Sequence, residues 1–155
     1  MKLIVAVFLF AAILVAPAPA GDPLSSLRFL VGTWSCTYNA GKTPFVYKAT
    51  FSYDMSGNWL RESDSWAGGG GDLGMFTYEP KRHGWTAVIL EPERTTTVFR
   101  ATGDNPNHVV YRSAYPDASM TEIFDRASPT RYTLHFTQIA NGKTTKSADT
   151  CVKGR

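Results

Sequence analysis

The sequence has 155 residues, the size of a single domain, and contains 16 Lys and Arg against 13 Asp and Glu. That small excess of positive charge, carried by basic residues scattered singly along the chain, gives no reason to expect a nucleic-acid partner.

The N-terminal segment has the three-part layout of a secretory signal peptide. A positively charged start is followed by an uncharged apolar run over 3–16 and by small residues ending at Ala20. The run is shorter than the roughly 20 residues of a membrane-spanning helix, although an uncleaved signal anchor is the alternative. We therefore expect removal of 1–20, a single domain over 21–155 without a stable membrane anchor, and a secreted or periplasmic protein.

The next segment predicts a short helical turn. Asp22 can cap the free backbone N–H groups, and Pro23 fits the first helical position. Leu24, Leu27 and Leu30 recur every three residues and so share one face. A helix this short is not stable alone, so we expect its leucine face to lie against an apolar surface.

After this segment the hydrophobic period changes to two. Phe45, Tyr47 and Phe51 alternate with polar residues, which is typical of a half-buried strand. Similar short runs bounded by turn residues predict about ten strands: 33–39, 45–53, 59–66, 74–78, 84–90, 95–102, 108–114, 119–125, 131–139 and 144–153. A chain with this many short strands, and with no long amphipathic helix after the helical turn, is expected to form an all-β sandwich or barrel.

The two cysteines help to choose between these architectures. Cys36 and Cys151 lie in the first and last predicted strands. Export would place them in an oxidising compartment, where cysteines usually pair. The first and last strands of an up-and-down barrel are neighbours because closure pairs them. We therefore predict a disulfide and a closed antiparallel up-and-down barrel of about ten strands; free thiols and a sandwich are the alternatives.

The segment FLVGTW over 29–34 places a Gly-x-Trp at the start of the first strand, after the helical turn. This arrangement resembles the calycin superfamily, which includes lipocalins, fatty-acid-binding proteins and nitrobindin-like barrels. With FTYEPK at 76–81, it looks most like a bacterial exported domain family of unknown function with a lipocalin-like or nitrobindin-like barrel. Members of that family often have Asp where this chain has Glu79. The resemblance covers 24–155.

The resemblance implies that Trp34 is a structural residue that plugs one end of the barrel. A basic residue near the last strand would then lie over its ring as a cation–π partner. Lys153 and Arg155 are the candidates in this sequence, and Arg155 joins Trp34 and the two cysteines as an expected structural residue.

The sequence contains no recognisable catalytic or metal-binding motif, since H-x-H, H-E-x-x-H, calcium-loop and G-x-S-x-G spacings are absent. Nitrobindin-like barrels bind haem through a His on a late strand. The last predicted strand has no His, and we expect His135 to face outward because Tyr132, Leu134 and Phe136 form the apolar face. We therefore predict no catalytic residue, no metal and no cofactor, haem included.

Charged residues within the alternating runs suggest a binding site. Glu122 shares a face with Phe124, and Arg61 shares a face with Trp59. A buried charge needs a partner, so we hypothesise that Arg61 and Glu122 line a cavity, with an outward placement as the alternative. A barrel of about ten strands encloses more space than one of eight. We therefore predict that Trp59, Tyr111 and Phe124 also contact a ligand.

These observations favour a binding protein. The leading hypothesis is an exported barrel, monomeric or weakly dimeric, that holds a small, mostly apolar ligand in its cavity. The alternatives are an enzyme that uses a charged pair or a Tyr in the same cavity, and an interaction protein with a filled barrel. The fold alone does not decide between them, and the absence of a recognisable catalytic set favours binding.

Overall fold

The computed structural model describes residues 21–39 and 43–154. The predicted signal peptide and Arg155 lie outside the described residues. Ten strands follow a short 3-10 helix, Pro23–Leu30: β1 Gly32–Asn39, β2 Phe45–Asp54, β3 Trp59–Trp66, β4 Leu73–Glu79, β5 Gly84–Leu90, β6 Thr96–Thr102, β7 His108–Tyr115, β8 Met120–Ser128, β9 Arg131–Ala140 and β10 Lys143–Lys153. Two further 3-10 turns, Met55–Gly57 and Pro80–Arg82, join β2 to β3 and β4 to β5.

The strands form one closed barrel in which each strand pairs with its sequence neighbours and β1 also pairs with β10. All these pairings are antiparallel, as short connections between successive strands require. The predicted up-and-down barrel of about ten strands is confirmed. Among the described residues, no helix is long and apolar enough to cross a bilayer.

The disulfide between Cys36 and Cys151 joins the two strands that close the barrel. The cysteines lie directly opposite each other in the β1–β10 register, and both are fully buried. The predicted pairing is confirmed, and it links positions 115 residues apart.

The N-terminal helix closes one end of the barrel. The Asp22 side chain accepts a hydrogen bond from the backbone N–H of Leu24, at 3.1 Å, and satisfies one of the free donors at the helix start. The shared face of Leu24, Leu27 and Leu30 is buried, as the spacing of three predicted. Trp34 is fully buried beneath this helix, and its Nε1 donates to the Leu30 carbonyl at 2.6 Å.

A basic residue from the last strand completes this closed end. Lys153 Nζ lies 5.4 Å from the centre of the Trp34 ring and donates a hydrogen bond to the Phe29 carbonyl at 2.6 Å. Lys153 is one of the two basic residues expected in this position. The ring of Tyr132 packs edge-on against Trp34 at 4.8 Å. Aromatic rings therefore pack around Trp34 at the closed end.

The glycine-rich turn between β3 and β4 lies close to the backbone of β3. The Asp64 N–H donates to the Asp72 carbonyl at 2.9 Å, and the Trp66 N–H donates to the Gly70 carbonyl at 3.3 Å. Gly71 has φ +150°, and a Cβ on it would lie 1.9 Å from the Asp64 carbonyl oxygen. A side chain at this position would therefore displace the turn.

Candidate functional site

A cavity of about 460 Å³ occupies the barrel interior and does not include Trp34 in its wall. Its walls are the inward-facing side chains of the strands, and Leu27 and Leu30 contribute from the helix. Phe45 belongs to the lining and is 45% exposed, so the cavity reaches the surface near the start of β2.

Aromatic residues are the most numerous group in the wall. Eleven aromatic residues line the cavity: Tyr38, Phe45, Tyr47, Phe51, Trp66, Phe76, Phe99, Tyr111, Phe124, Tyr132 and Phe136. Rigid aromatic side chains present a large apolar area with few degrees of freedom. The wall therefore suits a ligand with an apolar or aromatic body.

Six carboxyl groups interrupt this aromatic wall. We call them the carboxyl lining: Glu62, Asp64, Asp72, Glu91, Glu122 and Asp149. No Lys, Arg or His of the described residues belongs to the wall of the cavity. The three ion pairs formed within 21–39 and 43–154 join other residues, so no ion pair neutralises the carboxyl lining there.

The structure brings together three of the five residues predicted to contact a ligand. Tyr111, Glu122 and Phe124 line the cavity, and they lie on the adjacent strands β7 and β8. Tyr111 and Glu122 are direct partners in the register of these strands.

Arg61 and Trp59 lie elsewhere, contrary to expectation. Arg61 is exposed, Trp59 is half-buried, and neither belongs to the cavity wall. The fully buried residue of β3 is Leu60. Because side chains alternate along a strand, Glu62 and Asp64 share the inner face with Leu60, and Arg61 points outward. The hypothesis that Arg61 lines the cavity is wrong.

The sequence analysis missed most of the carboxyl lining, although two signals were present. On β3, Glu62 and Asp64 lie at even spacings from Leu60 and Trp66, so all four share one face. On β10, Asp149 lies two residues before Cys151, and because cysteines are among the residues most often buried, both side chains are expected to face inward. Asp72 and Glu91 lie just outside strands, where alternation gives no guidance.

Burial and mutual repulsion raise the pKa values of Glu62, Asp64 and Glu122. Burial raises the pKa of Asp64 from 3.8 to about 7, with a further contribution from the carboxylate of Asp72. Burial and the charge of Asp149 raise the pKa of Glu122 from 4.5 to about 7. The pKa of Glu62 is raised well above its ordinary value, first by burial and then by Asp64. Asp64 and Glu122 therefore change charge near neutral pH.

Tyr47 and Asp149 form a hydrogen-bonded pair in the wall. Tyr47 Oη donates to Asp149 Oδ2 at 2.6 Å. Burial raises the pKa of Tyr47, and the charge of Asp149 raises it further, so the phenol keeps its proton. Burial raises the pKa of Asp149, and the hydrogen bond from Tyr47 partly opposes that rise.

Two carboxylate oxygens in this region have unmet hydrogen-bonding capacity. Oδ1 of Asp64 and Oδ1 of Asp72 are buried and have no hydrogen-bond partner in the described part of the chain. Within that part, no group of three or more His, Cys, Asp and Glu side chains is arranged to hold a metal ion. The histidine considered for haem, His135, is exposed on β9.

No protein-family model and no curated protein matches the sequence. Among solved structures, the chain is similar to an S-type phycobiliprotein lyase, CPES, from Guillardia theta, with 11% identity and a TM-score of 0.59 over 86% of this chain and 93% of that chain. It is also similar to the siderocalin Ex-FABP, with 14% identity and a TM-score of 0.42 over 82% of this chain and 75% of that chain.

At these identities the likeness to the lyase establishes the fold and nothing further, and the likeness to the siderocalin is too distant to support an argument. The closed barrel, its N-terminal helix and the lyase comparison agree with the resemblance noted in the sequence. The molecule is therefore a calycin-like barrel of ten antiparallel strands.

Proposed function

We propose that this protein binds a small, mostly apolar ligand inside the barrel. The observation that carries the proposal is the open volume of about 460 Å³ in the barrel interior. Protein interiors are normally close-packed, with few voids larger than a water molecule. Pockets for small molecules usually measure about 300–1,000 Å³ and are lined mainly by apolar and aromatic side chains with a few polar groups. The cavity has that size and that lining.

The position of the cavity also favours binding. Phe45 lines the cavity and is 45% exposed, so its ring borders a route from solvent near the start of β2. A ligand would enter past Phe45 and rest against Tyr111 and Phe124. The outward direction of Arg61 removes the charged pair, one of the two groups that the enzymatic alternative could use. For the other, a Tyr, the wall offers Tyr47 and Tyr111, and the size and apolar lining of the cavity carry the preference for binding. We therefore propose binding rather than catalysis.

We also propose that the protein works outside the cytoplasm, after removal of residues 1–20. The disulfide supports this proposal, because such bonds persist mainly in oxidising compartments. The mass of the mature protein purified from its own compartment tests it. A chain that starts at Gly21 and contains the disulfide is expected; an intact Met1 start or two free thiols would contradict the proposal.

Fluorescence of the neutral dye 1-aminoanthracene tests binding in the cavity. We expect a saturable, blue-shifted signal that corresponds to one site per barrel. Met120→Trp places a larger side chain in the cavity wall, whereas Thr121→Trp makes the same kind of change on the outward face of the same strand. Met120→Trp should weaken dye binding and Thr121→Trp should not.

Far-UV circular dichroism would establish that both variants keep the barrel. Dye binding that is absent from the natural protein, or equally strong in both variants, would contradict the proposal. Native mass spectrometry of the exported protein supplies a second readout, in which a co-purifying small molecule is expected.

A further inference from the structure

The charged side chains of the described cavity wall all have the same sign. The carboxyl lining contributes six acidic groups, and no basic side chain of the described residues faces them. The acids come from β3, β8 and β10 and from the segments beside β4 and β5. The other titratable groups in the wall are Tyr38, Tyr47, Tyr111 and Tyr132, which lie on β1, β2, β7 and β9. Every charge that the described wall can carry is therefore negative.

Four of the six acids, Glu62, Asp64, Asp72 and Glu122, are held where water solvates them poorly. Glu62 and Glu122 lie inside the barrel, and the surface they expose faces the cavity. Oδ1 of Asp64 and Oδ1 of Asp72 are buried without a hydrogen-bond partner in the described part of the chain. An ionised carboxylate in such a place is costly unless a positive charge or hydrogen-bond donors compensate for it.

We propose that the ligand is an organic cation, with a protonated amine or guanidinium group on an apolar or aromatic body. This inference rests on the proposed function and specifies the chemical class of its ligand. The cationic group would lie among Glu62, Asp64 and Glu122 and donate hydrogen bonds to their oxygens. The body would contact the aromatic wall, whose ring faces also attract a cation.

The same wall disfavours other ligand classes. An anionic ligand would be repelled by the carboxyl lining and would find no basic partner among the described residues. A metal ion needs several converging ligands, and the described residues provide no such group. A neutral ligand would leave the buried acids uncompensated, unless those acids keep their protons and act as hydrogen-bond donors; the experiment below distinguishes that case.

Three compounds with one body and different charges test the proposal. 4-Phenylbutylamine is a cation at neutral pH, 4-phenylbutan-1-ol is neutral and 4-phenylbutyrate is an anion. Each would displace 1-aminoanthracene from the natural protein at pH 8. We expect the amine to bind about tenfold more tightly than the alcohol, as hydrogen bonds to charged groups imply, and the acid to bind most weakly. Equal displacement by all three, or a preference for the alcohol or the acid, would overturn the proposal.

Paired variants assign the preference to the carboxyl lining. Asp64→Asn combined with Glu122→Gln removes two negative charges with almost no change in volume. We expect the ratio of amine to alcohol affinity to fall about tenfold. Asp104→Asn removes an exposed acid in the turn before β7, outside the cavity, and should leave the ratio unchanged. A ratio that survives the double change would also overturn the proposal.

The pH dependence of binding gives an independent readout. The pKa values of Asp64 and Glu122 are both about 7, so a cation must displace protons from these acids at lower pH. The amine should therefore bind more weakly at pH 5.5 than at pH 8, whereas a neutral ligand that accepts hydrogen bonds from protonated acids should bind more strongly at pH 5.5. If the dye and all three compounds fail to bind, the proposed function fails. If the dye binds but the charge series shows no preference, only the cation assignment fails.

Discussion

Replacing Glu122 with Gln should stabilise the ligand-free protein at alkaline pH and not in acid. Burial and the charge of Asp149 raise the pKa of Glu122 from 4.5 to about 7 in the folded state. The folded protein therefore holds this proton more tightly than the unfolded chain does. The stability that this proton provides is fully present below pH 4.5 and is lost as the pH rises toward 7.

The size of the effect follows from that difference in pKa. One pH unit corresponds to about 1.4 kcal/mol, so ionisation of Glu122 costs the folded protein about 3 kcal/mol by pH 8. Gln is close in shape to the protonated acid and does not ionise. The free energy of unfolding of Glu122→Gln, relative to the natural protein, should rise by about 3 kcal/mol between pH 4 and pH 8.

Urea unfolding at several pH values, followed by tryptophan fluorescence, measures this difference. Asp104→Asn is the matched control, because it also removes one negative charge but from an exposed position. Its stability relative to the natural protein should change little over the same range. A Glu122→Gln difference that is flat from pH 4 to pH 8, or that falls, would refute the placement of an ionisable Glu122 inside the barrel.

Three other changes test the fold. Replacing both cysteines with alanine should lower the free energy of unfolding by about 4–5 kcal/mol, because the disulfide closes a loop of 115 residues. Lys153→Met should cost about 1–2 kcal/mol through loss of its hydrogen bond and cation–π contact, whereas exposed Lys146→Met should cost much less. Gly71→Ala should destabilise by more than about 1 kcal/mol, because its Cβ would meet backbone. Gly68→Ala, where a Cβ meets nothing within 4 Å, should not.

Urea unfolding measures all three, and each has a contrary outcome. If the urea midpoint of the variant without the disulfide were unchanged, removing the disulfide would give the unfolded chain little additional conformational freedom. Equal effects of the two lysine changes would argue against the contact with the Trp34 ring. Equal effects of the two glycine changes would argue against the close packing of the β3–β4 turn.

Much of the fold followed from local pattern. Alternation such as that of Phe45, Tyr47 and Phe51 predicted the strands, because side chains of a strand point to opposite faces. The positions of Cys36 and Cys151 favoured closure, because closure of an up-and-down barrel makes the first and last strands neighbours within reach of a disulfide. The spacing of three in the N-terminal helix predicted its buried face. Each of these inferences uses geometry that is set within one or two segments of chain.

The composition of the cavity wall depends on the tertiary structure. Alternation alone requires that Arg61 and Glu62 face opposite sides of β3, but it does not say which side is inside. Both faces of β3 carry apolar residues, Trp59 on one and Leu60 with Trp66 on the other, and the barrel buries the face of Leu60 with its two acids. That choice is made by pairing with β2 and β4 around the closed ring. The sequence thus determined the strands and their closure, whereas only the assembled barrel, which joins distant strands around one cavity, decided that its interior is acidic.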